Sequence, residues 1–288
     1  MKALICITTA SRSQAVKAFV WEYIAFCKRN PEYSFIVSLD GQDDETIAYC
    51  KKHKIPLLFS EEQEGVGLSK NRILKEYSDF DHYFFIEDDV ELLNDKVFAQ
   101  HIDTAKELGV QHLSLFPEER IADVLERIKL NDGAWVVCSK YGSAQFNYFT
   151  RRGVEKVGGF HTDFAQYRRF GHTEHTYRFV NAGMAEYPFY VVENCLQGWL
   201  GWNDPVSVTK VKVDTINRLF VGECELIDKK LSFFPITVLS AYKKPESLDL
   251  KETKRPLSAY FDKILFKLNM LALSIYRLLK RRVIACVK

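Results

Sequence analysis

The chain has 288 residues, 47% hydrophobic and 14% aromatic, which is material for one sizeable core or two small ones. Its net charge of +2 is unevenly placed: residues 251–288 carry ten Lys/Arg against Glu252 and Asp262, about +8, so 30 basic face 36 acidic side chains in residues 1–250. A basic tail behind an acidic body argues against a nucleic-acid protein, whose positive charge lines the folded face that meets phosphate.

LICITT (4–9) reads as a strand, and after it Val16, Phe19, Val20, Tyr23, Ile24 and Cys27 fall on one helix face. YSFIVSLD (33–40) is a second strand, a helix runs through Thr46 to Lys54, and IPLLFS (55–60) is a third strand. GVGLSKNRILKEY (65–77) opens on glycines and continues as a helix. HYFFI (82–86) is a strand that runs straight into Glu87, Asp88 and Asp89, and a helix over Lys96 to Leu108 is capped by Asn94 or Asp95. PFYVVEN (188–194) holds a later strand. Helices alternating with strands predict an α/β fold with a mainly parallel sheet covered on both faces. Such sheets bind ligands beyond the carboxyl ends of their strands, where Thr8, Thr9, Asp40 and Glu87 to Asp89 collect. Three carboxylates beside hydroxyls suit a hard cation such as Mg²⁺ or Mn²⁺.

Seven cysteines stand far apart without a CxxC pair, several within apolar runs, as buried thiols do in a reduced, cytosolic setting. The N-terminal apolar run is too short for a signal peptide, and no segment reaches the ~20 apolar residues of a membrane span. Gly65-x-Gly67 lacks the third glycine of a dinucleotide fingerprint and the Gly-Lys-Ser/Thr of a P-loop. His172 and His175 do not form an HExxH pattern.

TTASR, SLDGQDDET, GVGLSKNR and IEDDV, followed by VGGFHTDF (157–164) and GHTEHTYRFVNAG (171–183), occur in an order that resembles family-2-type glycosyltransferases of the GT-A fold, over about residues 3–205. The resemblance implies an inverting enzyme that moves a sugar from a nucleotide donor, UDP-linked by preference, to a glycan or lipid-linked saccharide. It places Thr8, Arg12 and Asp40 around the base, with Lys70 and Asn71 nearby; Glu87, or Asp88 in its stead, faces the ribose, and Asp89 holds Mn²⁺ or Mg²⁺. Glu174 matches the position of the acceptor's base, with His175 beside it as a second candidate and as a possible metal ligand alongside His161 and His172. In GWLGWNDP, Trp199 and Trp202 offer flat faces to an acceptor sugar and Asn203 and Asp204 offer hydrogen bonds. Rival readings are a sugar nucleotidylyltransferase, which needs a Gly-rich basic loop where this chain has TTASRSQ, and a non-catalytic nucleotide- or glycan-binding protein.

The expected organisation is a catalytic domain over 1–220, with its nucleotide half near 1–110 and its acceptor half near 130–205, a linking segment over 221–256, and a helix over 257–288. On that helix Phe261, Leu265, Leu268, Ala272, Ile275 and Leu279 share one face, opposite Lys263, Lys267, Ser274, Arg277 and Arg281. It suits an anionic membrane surface, which would hold the protein at the cytoplasmic face, or docking on its own domain or on a twin chain. With the helix removed, a soluble domain that still binds donor is expected.

Overall fold

The structure, a computed structural model, describes residues 1–115, 122–142, 145–167, 171–193, 199–201, 218, 221, 222, 224, 225, 227 and 229–287; the side chains at 122, 165–167, 199–201, 277, 278 and 280–287 are outside that description. Its first half alternates β1 (Ala3–Thr9), α1 (Ser13–Arg29), β2 (Tyr33–Leu39), α2 (Asp44–Lys52), β3 (Leu57–Ser60), α3 (Val66–Glu76) and β4 (His82–Glu87). The short β5 (Val90–Leu92) and α4 (Lys96–Leu108) follow. β6 (His112–Ser114), β7 (Ala122–Lys129), β8 (Trp135–Tyr141) and β9 (Phe146–Thr150) lead into α5 (Arg151–Val157), α6 (Thr162–Tyr167) and α7 (Gly171–Asn181). The described elements close with β10 (Phe189–Val192), β11 (Trp199–Gly201), β12 (Tyr242–Lys243) and α8 (Ser258–Val287).

Ten strands form one sheet in the order β12-β3-β2-β1-β4-β9-β6-β10-β8-β7. β3, β2, β1 and β4 run parallel, which is the predicted α/β half; β9 then enters antiparallel between β4 and β6. Both faces of the parallel part are buried, so its strands read as near-continuous apolar runs. Alternate residues feed two cores: Ile5, Ile7, Phe35, Val37, Phe84 and Ile86 lie in one, and Leu4, Cys6, Ile36, Tyr83 and Phe85 in the other. Cys6, Cys27, Cys50 and Cys138 are free and buried.

Local signals set the helix ends. Asp43 caps α2 by accepting from the backbone of Glu45 and Thr46, and Asn94 accepts from the Lys96 N–H at 3.0 Å ahead of α4. Gly109 ends α4 in the left-handed conformation, φ 70°.

The segment expected to be a link is part of the fold. β12 pairs antiparallel with β3 at the sheet edge, and the Phe234 N–H donates to the Val157 carbonyl at 3.0 Å. α8 is docked on α1: Phe266 and Met270 pack on Ala15, Ala18 and Phe19, with the Phe19 and Phe266 rings 5.1 Å apart at 80°. Lys263 and Lys267 lie 2.8 and 2.9 Å from the buried Glu91 carboxylate, and Lys263 lies 2.9 Å from Glu22. Lys263 and Lys267, opposite the apolar stripe, therefore point inward. Deleting α8 would bare Phe19 and strip Glu91 of its countercharges, so a truncated domain is expected to be destabilised. Among the described residues, no helix is long and apolar enough to cross a membrane.

Two buried histidines are expected to make the fold acid-sensitive. His101 and His112 bond the Val97 and Pro188 carbonyls, and burial pushes both pKa values down to about 4. Between pH ~6.5 and ~4 the unfolded chain takes up protons that the folded chain refuses, so stability falls as pH drops through that window. A tenfold loss of proton affinity on folding is worth ~1.4 kcal/mol, which puts the full loss on the order of 3 kcal/mol per histidine. Denaturant melts at pH 7 and pH 4.5 check this: His112→Gln should lose less stability between the two pH values than the parent chain does.

Candidate active site

The carboxyl ends of β1 and β4 meet at the Glu87–Asp89 run. Thr8 pairs with Glu87 across the two parallel strands, and the Asp88 N–H donates to the Thr8 carbonyl at 3.2 Å. Asp88 and Asp89 form the turn between β4 and β5, and that turn is held from the α1 side. Thr9 donates its hydroxyl to Asp88 Oδ2 at 2.5 Å; Arg12 puts Nη1 2.9 Å from Asp88 Oδ1 and Nη2 3.1 Å from Asp89 Oδ2. The chain reaches this arrangement through Ser11 at φ 52°, a left-handed conformation that costs a non-glycine residue on the order of 1 kcal/mol and recurs at functional sites. Asp88 is 3% exposed. Burial, with Asp89 and Glu87 adding to it, raises its pKa to about 7 against the pull of Arg12 and the Thr9 hydroxyl.

On the other side of β1, Lys70 projects from α3 into the sheet face. Its Nζ donates to Asn147 Oδ1 at 2.8 Å and lies 5.1 and 5.7 Å from the Phe160 and Phe85 ring centres. Burial lowers its pKa to about 8 while Glu87 pulls it up, so it stays mostly charged at neutral pH. Thr8, Thr9, Arg12, Glu87, Asp88 and Asp89 are thus brought together, with Lys70 beside Glu87.

Asp40 has another occupation. Its carboxylate accepts from the backbone of Glu64 at 2.9 Å and Gly65 at 2.7 Å and from Arg72 at 3.2 Å, and Arg72 also binds Glu64. Asp40 therefore fixes the loop that enters α3. Glu64 and Arg72 were not singled out in the sequence, although their eight-residue spacing across GVGLSKNR spans the start of the helix.

Asn71, Glu174 and His175 belong to a second hub, built on VGGF. The Asn71 amide donates to the Phe160 and Thr237 carbonyls at 2.9 and 3.0 Å and accepts from the Phe160 N–H at 2.7 Å. His175 bonds the Gly158 carbonyl through Nε2 at 3.1 Å and stacks on Phe160 at 4.3 Å; burial pushes its pKa well below the usual histidine value. The Arg178 guanidinium grips Glu174 with Nε 2.8 Å from Oε1 and Nη2 3.0 Å from Oε2, and its Nη1 donates to the Val157 carbonyl at 2.8 Å. Both glycines are needed. At Gly158, φ 77°, an added Cβ would sit 1.7 Å from the Phe234 carbonyl oxygen, and at Gly159 it would sit 2.5 Å from Asn71 Oδ1. As the structure stands, Asn71 spends its amide on backbone, the His175 ring is buried among core aromatics, and Glu174, 1% exposed, is the partner of Arg178.

The other candidates divide. His161 packs on Phe164 and Phe234, and His172 bonds the Gly142 carbonyl at 3.0 Å with its pKa lowered by burial, so neither stands with the acidic run. Trp199 opens β11, which runs antiparallel to β5 and pairs Gly201 with Val90, one residue past Asp89. Trp202, Asn203 and Asp204 lie outside the described residues.

The sequence matches no protein-family profile. No curated protein matches it either. Solved structures do. Residues 1–349 of S. aureus TarS in complex with UDP are similar at TM-score 0.54 and 13% identity, over 80% of this chain and 65% of that one. The longer S. aureus TarS structure gives TM-score 0.50 and 14% identity over 66% of this chain and 35% of that one. The mannosyltransferase PcManGT from Pyrobaculum calidifontis, solved with GDP-Man and Mn²⁺, gives TM-score 0.47 and 15% identity over 60% and 50%. The chain therefore spans less than two thirds of each of these chains. The fold is GT-A-like. At such identities the fold is what is shared.

Open α/β sheets as a class bind ligands beyond the carboxyl ends of their strands, which here is the edge past β1, β2 and β4. The donor set there fits a divalent cation in one way. Among the described residues no three His, Cys, Asp or Glu side chains gather as a complete metal site. Mg²⁺, however, is commonly bound through one or two carboxylates plus substrate phosphates. Asp89, at the turn's outer position, is the carboxylate that would hold it, shared with the Arg12 guanidinium.

Proposed function

We propose that the chain is a glycosyltransferase of the hexosyl-transferring, inverting, family-2 type, taking a nucleotide sugar, UDP-linked by preference, and a glycan or lipid-linked saccharide acceptor. The observation that carries this is the Asp88–Asp89 turn clasped by Thr9 and Arg12 at the carboxyl edge of β1 and β4. Departure of a nucleoside diphosphate puts negative charge on the leaving group while the sugar becomes oxocarbenium-like. Mn²⁺ or Mg²⁺ at Asp89 would supply charge neutralisation for that diphosphate. Arg12 presents a planar guanidinium at the same edge, suited to phosphate oxygens, and Asp88 keeps the turn in place. Thr8 and Glu87 line the ribose side, with Lys70 behind them. Trp199, Trp202, Asn203 and Asp204 remain the acceptor side, supported by the pairing of β11 beside Asp89. The acceptor's base stays with Glu174, or His175 beside it, as the resemblance implies; Glu174 is held by Arg178 in a buried pair, and Glu174→Gln tests the role. The nucleotidylyltransferase reading is disfavoured by Ser11 and Arg12, which pass directly into α1 without a glycine-rich loop.

The test is a panel of UDP- and GDP-sugars with Mn²⁺ or Mg²⁺, scored for nucleotide release. One donor should release its diphosphate faster than the protein-free control, and chelator should abolish the release. Release of pyrophosphate from a sugar phosphate and a nucleoside triphosphate would instead establish the rival chemistry.

A further inference from the structure

α8 is amphipathic the wrong way round for a helix that merely covers its own domain. The face seated on α1 carries Lys263, Phe266, Lys267 and Met270, whereas Leu257, just ahead of the helix, and Tyr260, Phe261, Ile264, Leu265, Leu268, Leu271, Ile275, Tyr276 and Leu279 on the outward face of α8 are presented to solvent. Each of these is more than half exposed, and Phe261 is 73% exposed. At ~100° per residue they sweep an arc of ~160°, and from 257 to 279 they extend ~33 Å at ~1.5 Å per residue. An unbroken apolar strip of this size on a folded surface marks an interaction site.

We propose that this face of α8 lies flat on an anionic membrane surface, with the charged C-terminal end of the helix held by lipid headgroups. Two observations choose a bilayer over a second copy of the chain. The arc is far wider than the seam by which two helices pair, which takes about two residues in seven, but it matches a helix half sunk in an interface. The charge has one sign: residues 263–288 contain seven Lys/Arg and neither Asp nor Glu. Lys263 and Lys267 are matched by Glu22 and Glu91, and the other five, Arg277, Lys280, Arg281, Arg282 and Lys288, fall within the last twelve residues of the sequence. Such a run of charge complements an anionic surface, and it would repel its twin in a parallel pair. Tyr260, Phe261 and Tyr276 add the aromatic side chains that favour the headgroup level. The docked lysines keep the helix fixed to the domain, so the membrane would meet a rigid platform. This inference stands independently of the chemistry proposed above.

The full chain should co-sediment with vesicles of phosphatidylcholine and phosphatidylglycerol, remain mostly in solution with phosphatidylcholine alone, and come off as salt rises. Leu265→Glu with Leu268→Glu should weaken vesicle binding about tenfold or more without moving the melting temperature, because both residues face away from α1. Lys280→Gln, Arg281→Gln and Arg282→Gln together should remove most of the salt dependence. Three results would overturn the proposal: no sedimentation with the anionic vesicles, equal binding to neutral and anionic vesicles, or a dimer in solution that Leu265→Glu with Leu268→Glu disperses while vesicle binding is absent.

Discussion

Replacing Asp89 by alanine is expected to lower nucleotide release by on the order of 10³ or more while leaving the melting temperature within a few degrees of the parent chain. The turn that carries Asp89 is anchored elsewhere: Asp88 keeps its bonds to Thr9 and Arg12, and the Asp88 N–H keeps the Thr8 carbonyl. Arg12 loses one of two carboxylates and retains the more buried one. What disappears is the group that would neutralise the departing diphosphate, and stabilisation of developing charge by a bound cation is worth several kcal/mol, each ~1.4 kcal/mol being tenfold in rate. Asp88→Asn makes the contrast. It touches the anchor, so it should weaken the turn itself and depress both activity and stability. Turnover by Asp89→Ala equal to that of the parent chain would remove the acidic edge from the mechanism.

Replacing Glu174 by glutamine is expected to destabilise the protein by ~3–5 kcal/mol, because it leaves the Arg178 guanidinium buried without its countercharge. A pair so enclosed differs from a surface i,i+4 pair, which is worth ~0.3–0.5 kcal/mol. Glu174→Leu with Arg178→Met removes both charges at once and should recover much of the stability lost by the single change. Denaturant titrations of the three proteins check the order. If Glu174→Gln is as stable as the parent chain but loses turnover with donor affinity intact, the carboxylate is the acceptor's base, and the pairing with Arg178 is secondary.

These two residues show what the sequence could and could not carry. The acidic run at the end of HYFFI is legible because strand ends in an α/β fold converge, and β1 and β4 do place Thr8, Glu87 and the Asp pair together. Glu174 is different. Glu and Arg four apart on a helix read the same whether they face water or the interior, and only the packing of α7 against VGGF distinguishes the two. The same holds for Asp40, whose saturation by the Glu64 and Gly65 backbone depends on a loop approach that no periodicity encodes.

The first four strands were readable because both their faces are buried. The half of the sheet that follows was not, since β9 pairs with β4 across some sixty residues of chain and the hairpin of β7 and β8 is announced only by Asp132-Gly133. In α8 the period and the apolar stripe are legible in the sequence, whereas the face that meets the domain is not. Its lysines look solvated in sequence, and nothing local says that Glu22 and Glu91 wait for them on the folded domain.

The most direct measurement is a thermal-unfolding titration of the full chain with UDP and with GDP, in the presence of Mn²⁺, on the parent protein and on Asp89→Ala. The account predicts that one of the two nucleotides raises the melting temperature in a saturable way, as a ligand that binds only the folded state must, and that the rise is abolished or greatly reduced in Asp89→Ala. No protection by either nucleotide, or equal protection of both proteins, would contradict the placement of a nucleoside diphosphate at the Asp88–Asp89 turn.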